Sequence, residues 1–336
     1  MKKLPTVTIS ELIEAGVHFG HKTMRWNPKM SSYLYGIKDD IHIIDLQQTL
    51  PLLYSALNKI YEVAKNNGRI LFVGTKMQAS EIIAEAAKRC GQYYINHRWL
   101  GGTLTNWSTI NRSIKKLADL EKSIQAADQD EEENRIRFTK KERLDITRKI
   151  EKLEKSLGGI REIGGLPDLL FVIDTNMEEI AIKEANKLGI PVVAILDSNS
   201  NPDDVDYPVP GNDDATRSIK LYCRILSDTI LQGIQDSLIA SGIDIGESAE
   251  ISDILQMNAS LEKKSTGKHK ETKKKAVPEV KKEAEETKAT KKEEITEAPK
   301  KKEEIAKETK AKAPKKKEEI AEVKTETKTK KTKTEE

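Results

Sequence analysis

Three unbroken apolar runs, each followed by an amphipathic stretch, limit the fold of this 336-residue chain more than any other feature. The runs are RILFVGTK at 69–76, DLLFVID at 168–174 and PVVAILD at 191–197. A run that is apolar at every position predicts a strand buried on both faces. Strands of this kind, alternating with amphipathic helices, predict a parallel sheet covered by helices on both sides.

Shorter patterns complete the predicted domain. Two more strands are expected at 41–46 (IHIIDL) and 92–96. Helices are expected after the capping box at Thr8–Glu11 and, by apolar spacing, at 47–66, 78–89, 177–188 and 215–234. The predicted fold class is therefore α/β: a doubly wound parallel sheet in three layers, α/β/α.

One segment interrupts the alternation of strands and helices. Residues 105–157 are helical in pattern and heavily charged, with apolar residues at the 3–4 spacing of a coiled-coil seam on two arms. The acidic run at 128–133 is suited to turn the chain between the arms. We therefore predict a sheet domain formed by 1–104 and 158–240, with an antiparallel coiled-coil hairpin inserted at 105–157. The hairpin is either a solvent-exposed arm or a surface that packs against a partner.

The C-terminal region differs in composition from the rest of the chain. Residues 261–336 carry 26 basic and 18 acidic residues, which leaves 32 basic and 37 acidic residues in 1–260. The sequence APKKKEEIA occurs at both 298–306 and 313–321. A segment with so few large apolar residues cannot offset its chain entropy by burial, so 261–336 is predicted to be disordered, after a linker at 241–260. It is either a solubilising tail or a loose arm that contacts RNA.

Cysteine content and hydropathy predict a soluble cytoplasmic protein. Cys90 and Cys223 lie far apart in apolar surroundings, which indicates reduced, buried thiols. No secretory signal pattern occurs, and the longest apolar runs are too short to span a bilayer, so no membrane partner is expected.

Enzymatic chemistry has little support in the sequence. Gly74 is a lone glycine at a strand end where a dinucleotide site needs G-x-G-x-x-G, and no phosphate-loop motif is present. No nucleophile has a recognisable partner, so no catalytic residue and no cofactor is predicted. A nucleotide-binding enzyme on a Rossmann-like sheet remains the alternative function.

Two places in the sequence contain residue types that could bind a metal ion. His18 and His21 have H-x-x-H spacing but no third ligand nearby, and structural zinc sites usually have four. Aspartates are also concentrated between 197 and 214, where they could bind Mg²⁺ or serve as turns and caps. Asp213 or Asp214 is the expected cap of the last helix. We predict no metal site.

Two segments combine histidine, basic residues and tryptophan beside glycine, a mixture suited to phosphate contact and base stacking. A tryptophan taken alone is more often a core residue, but the repeated combination favours RNA. The predicted RNA-binding residues of the first segment, residues 17–30, are His18, His21, Lys22, Arg25, Trp26 and Lys29. Those of the second, at the base of the predicted hairpin, are His97, Arg98, Trp99, Thr103, Asn106 and Arg112.

Three long stretches resemble the bacterial small-subunit ribosomal protein S2 family. They are AGVHFGHKTMRWNPKM at 15–30, NHRWLGGTLTN at 96–106 and PDLLFVIDTNMEEIAIKEANKLGIP at 167–191. The resemblance covers about 1–240 and does not extend to the tail. It implies a flavodoxin-like sheet with a protruding coiled coil and a structural role in the small ribosomal subunit.

The same resemblance implies the partners. They are small-subunit rRNA, neighbouring small-subunit proteins and ribosomal protein S1, which the chain would help to recruit. No small-molecule substrate is implied.

Overall fold

The computed structural model describes residues 4–129 and 138–241, with the side chains of 126–129 excepted. The helices are α1 (Ile9–Glu14), α2 (Leu46–Lys65), α3 (Met77–Arg89), α4 (Trp107–Gln129), α5 (Lys140–Leu157), α6 (Glu179–Leu188) and α7 (Thr216–Ala240). The strands are β1 (Phe19–Lys22), β2 (Leu34–Lys38), β3 (Ile41–Ile44), β4 (Ile70–Val73), β5 (Tyr93–Ile95), β6 (Leu169–Ile173), β7 (Val192–Leu196) and β8 (Tyr207–Pro210). Short 3-10 helices occupy Thr23–Arg25, Pro28–Tyr33 and Gly158–Ile160.

Five strands form a parallel sheet in the order β5-β4-β6-β7-β8. Numbered by their own sequence order, these strands run 2-1-3-4-5, which is the flavodoxin-like arrangement of doubly wound sheets. The prediction of a parallel sheet flanked by helices is confirmed.

Alternate residues of the central strands face two separate cores, which accounts for their unbroken apolar runs. Phe72 and Phe171 pack edge to face, 5.5 Å between ring centroids, in the core that contains α2, α3 and α7. Leu71 and Val172 face the opposite core, which contains α6 and the first turns of α4. The sheet is thus the middle of three layers.

The strand predicted at 41–46 does not belong to the parallel sheet. β3 pairs antiparallel with β1 and β2 in a separate three-stranded sheet of order β1-β3-β2. The reason is visible in its burial, because His42 and Ile44 are buried whereas Ile41 and Ile43 are only half-buried. Such alternation is typical of a strand with one face in the core. The preceding residues, 28–38, form a 3-10 helix and β2.

The fifth strand of the parallel sheet is β8, which was not predicted. Its sequence, YPVP, contains Pro208 and Pro210, and proline is rare inside strands because it lacks the N–H donor. β8 lies at the edge of the sheet and pairs with β7 alone, so a missing donor on its free side costs no ladder hydrogen bond.

The inserted segment forms the two helices that were predicted, α4 and α5, and they pack against each other. Burial is strongest where they join the sheet domain: Ile110, Ile114, Leu117 and Leu157 are buried, whereas Ile146 and Ile150 are half-buried. The coiled-coil geometry stays a prediction. Residues 128 and 129 of the expected turn belong to α4, and its remainder, nearly all of the linker and the whole tail at 261–336 lie outside the described residues.

The cap predicted for the last helix is wrong: the N-cap of α7 is Ala215, which makes no side-chain capping hydrogen bond, so neither Asp213 nor Asp214 caps it. In the turn before the helix, Asn212 accepts hydrogen bonds through Oδ1 from the backbone N–H groups of Asp214 and Ala215, at 2.8 and 3.0 Å. Ser218 closes the turn by donating to the Asn212 carbonyl. The aspartates are free to turn toward a charged cluster described below. Within the described part of the chain, no helix is long and apolar enough to cross a bilayer.

Candidate nucleic-acid interface

The first segment lies on the surface with most of its polar side chains in solvent. It comprises β1 and the two 3-10 helices that follow. Lys22, Arg25, Trp26 and Lys29 are exposed, whereas His18 and His21 are half-buried. The Trp26 ring is 40% exposed and tilts against the ring of His42, with 5.1 Å between centroids. This segment therefore presents a flat ring beside cationic side chains.

The turn after strand β7 holds the first segment in place. The backbone N–H of His21 donates to Ser198 Oγ at 2.8 Å, and that of Asn27 donates to the Ser198 carbonyl at 2.8 Å. Gly20 is needed for this approach, because a Cβ there would lie 2.9 Å from Ser198 Oγ. Pro28 then starts the second 3-10 helix, and Asn27 caps it by accepting from the Lys29 N–H. The display of the basic side chains is therefore fixed by backbone contacts.

The second segment is divided between surface and interior. His97 and Arg98 are exposed, but Trp99 is only 7% exposed and Thr103 is buried. Asn106 and Arg112, at the start of α4, are exposed. Of the predicted RNA-binding residues, Trp99 and Thr103 therefore lie inside the protein and do not offer their side chains to a ligand.

Glu184 of helix α6 is the reason that Trp99 turns inward. The glutamate is 8% exposed and accepts hydrogen bonds from the Trp99 indole Nε1–H at 3.2 Å and the Gly102 N–H at 2.7 Å. It also accepts from the Leu104 N–H at 2.9 Å and the Thr105 N–H at 3.1 Å. Gly102, with φ of 87°, bends the loop so that its amides converge on the carboxylate. One buried side chain thus organises the loop from which the helical arm starts.

The hydrogen bonds determine the ionisation of this carboxyl. Burial by itself raises the pKa of Glu184, but donation from Gly102, Thr105, Trp99 and Leu104 outweighs it, and the pKa lies below its ordinary value of 4.5. The carboxylate is therefore charged at neutral pH, with its charge held by N–H dipoles rather than by a cation.

Both segments lie at the same edge of the parallel sheet. His97 and Arg98 follow the carboxyl end of β5, and Ser198, which binds the first segment, follows the carboxyl end of β7. These two strands are three positions apart in the sheet. At the usual spacing of neighbouring strands, the separation is about 14 Å. A single extended ligand can therefore contact both segments.

A charged cluster fills this edge between the strand ends. Its members are His21, Lys76, Asp174, Asp197, Asp213 and Asp214. Lys76 Nζ lies 3.2 Å from Asp174 Oδ2 and 2.9 Å from Asp213 Oδ1, and also contacts Asp214. Four carboxylates thus surround one ammonium and one imidazole.

The excess of carboxylates shifts several ionisations. The pKa of Lys76 is raised: burial opposes its charge, but Asp213, Asp214 and Asp174 outweigh that effect. The pKa of Asp213 is also raised, by burial first and then by repulsion from Asp197 and Asp174. The cluster is a strongly polar core for this edge of the sheet.

His21 joins the cluster through both ring nitrogens. Its Nδ1 lies 3.1 Å from Asp197 Oδ2 and its Nε2 lies 3.3 Å from Asp214 Oδ2. Contact with Asp197 raises the pKa of His21 above 6.5 in spite of burial. One ligand atom from each of His21, Asp197 and Asp214 lies within 4.8 Å of the others, and an imidazole with two carboxylates is a donor set that zinc accepts. The H-x-x-H pair with His18 is not brought together in this way.

Sequence reasoning did not identify Glu184 or Lys76 as important. Glu184 stands in an amphipathic helix and Lys76 follows a strand, positions where a charge ordinarily faces water. Only in the folded chain do the loop amides surround Glu184 and the aspartates surround Lys76. The sequence therefore contained no signal for either residue.

Fold and surface together define a class: an α/β binding protein with a basic, aromatic surface at the carboxyl edge of its sheet. Among the described residues, no side chain is arranged as a nucleophile with a base.

Comparison with known proteins identifies the family. Residues 12–233 match the family model described as Ribosomal protein S2. The chain is 58% identical over 274 residues to the small ribosomal subunit protein uS2 of Rickettsia canadensis (strain McKiel), which covers 82% of this chain and 90% of the relative. It is 58% identical over the same length and with the same coverage to that of Rickettsia prowazekii (strain Madrid E). The chain belongs to the ribosomal protein S2 family.

Membership decides between the two function classes that the sequence left open. The chain is a structural constituent of the small ribosomal subunit and not an enzyme. The alternative of a nucleotide-binding enzyme is thereby set aside. Its place in the cell is the ribosome.

Proposed function

We propose that this chain binds small-subunit rRNA directly, in the cytoplasmic ribosome, through those members of its two segments that are not buried. The exposed ones are Lys22, Arg25, Trp26, Lys29, His97, Arg98, Asn106 and Arg112, and the half-buried ones are His18 and His21. Trp99 and Thr103 are left out because their side chains are buried.

One observation carries the proposal: exposed cationic side chains stand beside an exposed ring in a body that is acidic overall. Within the described residues, neither Lys22 nor Arg25 lies within 4.0 Å of a carboxylate. Lys29 does pair with Asp203, but both side chains are more than half exposed. Surface pairs of this kind are weak, so a phosphate can compete for the ammonium. Local charge rather than net charge supports the interaction.

The test compares two triple variants of the full chain. Lys22, Arg25 and Arg98 are replaced together by alanine at the proposed surface. In the control, Lys65, Lys88 and Lys187 are replaced; they are exposed and lie near helix ends that lead into the amino ends of the strands. Both variants lose the same charge, so a difference between them reports position.

The measured quantities are affinity for deproteinised small-subunit rRNA at several salt concentrations, and recovery in sedimented small subunits. We expect the first variant to bind rRNA about 10-fold or more weakly. The slope of log affinity against log salt concentration should become less steep by roughly 0.7–0.9 for each phosphate contact that is lost. The control should keep the wild-type affinity. Equal binding by the two variants would contradict the assignment of the surface.

We propose further that the chain helps to recruit ribosomal protein S1, with neighbouring small-subunit proteins as additional partners. The support is family membership, since S1 is a partner that the family resemblance implies. Small subunits reconstituted with and without this chain should differ in the S1 they retain after sedimentation. Equal retention would refute this part of the proposal.

We also propose two features of the domain organisation that the sequence predicts. α4 and α5 continue as an antiparallel coiled coil, and 261–336 is a disordered tail. Limited proteolysis of the free chain should remove the tail first and leave a fragment ending near residue 241. Resistance to cleavage beyond residue 261 would contradict a disordered tail.

A further inference from the structure

The exposed aromatic side chains of this protein are concentrated in one short stretch. Among the phenylalanine, tyrosine and tryptophan side chains of the described residues, only Phe19 (45%), Trp26 (40%) and Tyr35 (81%) are exposed. All three belong to β1, β2 or the link between them. Exposed rings cost solvation energy, and their restriction to one surface suggests a ligand that covers them.

The pairing of the small antiparallel sheet places Phe19 in an ordered row. Phe19 of β1 and Gly36 of β2 are both opposite Ile43 of the central strand β3. The three positions form one row across the sheet. A Cβ built on Gly36 meets no atom within 4 Å, so the row ends in an open notch on β2, next to Tyr35 in sequence and across β3 from Phe19.

A second row of the same face is basic. Lys22 of β1 and Lys38 of β2 are both opposite Ile41, two residues from Ile43 on β3. The rows are therefore about 7 Å apart along the strand. The lysines thus lie one residue pair along the strands from Phe19 and Gly36.

Irregular pairing is what brings Phe19 and the lysines to one face. Phe19 and Lys22 of β1 are three residues apart, but their partners on β3, Ile43 and Ile41, are only two apart. A bulge therefore lies between Phe19 and Lys22. Without it, residues three apart would point to opposite faces. A second irregularity in β2 lies between Leu34 and Gly36 and leaves Tyr35 as the extra, exposed residue.

The lysine row gives this face two cationic groups. Within the described residues, Lys22 and Lys38 have no carboxylate within 4.0 Å. Asp39 and Asp40 are exposed in the β2–β3 turn, just beyond the lysine row, where both have positive φ. The pKa of His18 is lowered by burial and then by the charge of Lys38.

We propose that the sheet β1-β3-β2 is a stacking platform for unpaired nucleotides of RNA. Bases lie on Phe19 and Tyr35, with one edge in the Gly36 notch, while Lys22 and Lys38 contact the adjacent phosphates. Base stacking on exposed rings is a common feature of single-strand recognition, and bases inside an A-form duplex do not present their faces. This inference rests on the proposed binding of rRNA and adds the kind of RNA and the residues that touch its bases.

The test uses the full chain and three RNA probes: an oligouridylate, a duplex of equal length, and deproteinised small-subunit rRNA. Phe19→Ala with Tyr35→Ala removes two rings. Met177→Ala with Ile180→Ala is the control, since these side chains are 61% and 56% exposed outside the platform. We expect the ring variant to bind oligouridylate at least about 10-fold more weakly, with unchanged salt dependence and unchanged duplex binding.

Gly36→Val provides a second variant that does not depend on removing rings. The position has room for the side chain, and a β-branched residue suits a strand, so folding should be retained. Valine fills the notch, and single-strand affinity should fall although every ring and charge is kept.

The outcomes separate the two proposals. If the wild-type chain does not bind rRNA, the proposed function fails. If it does bind rRNA but the ring and notch variants bind single strands as well as wild type, only the stacking platform is refuted. If these variants keep their RNA affinity but lose a protein neighbour in the subunit, the face docks a protein and the inference is overturned.

Discussion

The two segments have similar compositions, yet the fold uses their tryptophans in opposite ways. Trp26 lies on the surface beside Lys22 and Arg25, whereas Trp99 is buried and donates its indole N–H to Glu184. The difference comes from a residue 85 positions away in sequence rather than from either segment. A motif of histidine, arginine and tryptophan therefore predicts a type of surface but not the exposure of each member.

The largest expected effect is on the free energy of unfolding, and it compares the buried tryptophan with the exposed one. Trp99→Ala should lower the free energy of unfolding by about 3–5 kcal/mol, because it opens a cavity in the core beneath the arm. Trp26→Ala should change it by less than about 1 kcal/mol, since its ring is partly in solvent. Urea unfolding followed by circular dichroism measures both. Similar losses for the two variants would remove the distinction between the segments.

Glu184→Ala should have the next largest effect. It leaves the Trp99 indole and several loop amides without their acceptor, for a loss of about 3 kcal/mol. Glu179→Ala, in the first turn of the same helix and exposed, is the matched control and should stay close to wild type. The same urea titration applies. A loss no larger than that of the control would mean that water replaces the carboxylate without cost.

The pH dependence of stability is a smaller effect with a defined sign. The folded-state pKa of Glu184 lies below 4.5, so its contribution is complete above that pH and declines as the pH falls through the folded value. The stability gap between wild type and Glu184→Gln should therefore be widest near neutral pH and narrow below about pH 4.5. Unfolding curves from about pH 7 to about pH 3 test this. A gap that is constant with pH would contradict it.

The smallest expected effect on stability is paired with an effect on binding. Arg25→Ala should leave the free energy of unfolding unchanged within about 0.5 kcal/mol, because the guanidinium of Arg25 contacts no carboxylate in the described residues. The same substitution should weaken rRNA binding, because it removes a cationic group from the proposed surface. Arg89→Ala is the control, since Arg89 is exposed and pairs with Asp228. Filter binding to small-subunit rRNA at two salt concentrations provides the comparison. Weakened binding by the Arg89 variant alone would place the surface elsewhere.

The strands that are apolar throughout, such as 168–174 and 191–197, could be predicted because burial on both faces leaves a local pattern. β8 could not, since its prolines are tolerated only at a sheet edge, and edge position is a property of the whole sheet. β3 was misplaced because a short β-branched run does not show which sheet it joins. At the candidate interface, the sequence predicted the types of residue that form the surface. It did not predict which side chains are exposed, because that depends on Glu184 and on the bulges in β1 and β2.

Site-specific crosslinking tests the central claim most directly. A benzophenone amino acid is placed at position 26, 99 or 65 of the full chain, which is then assembled into small subunits and irradiated. The structure predicts crosslinks to rRNA from position 26 and none from position 99, which is buried, or from position 65 at the opposite edge of the sheet. Crosslinks from position 26 that join only proteins, or rRNA crosslinks of equal yield from all three positions, would contradict the account.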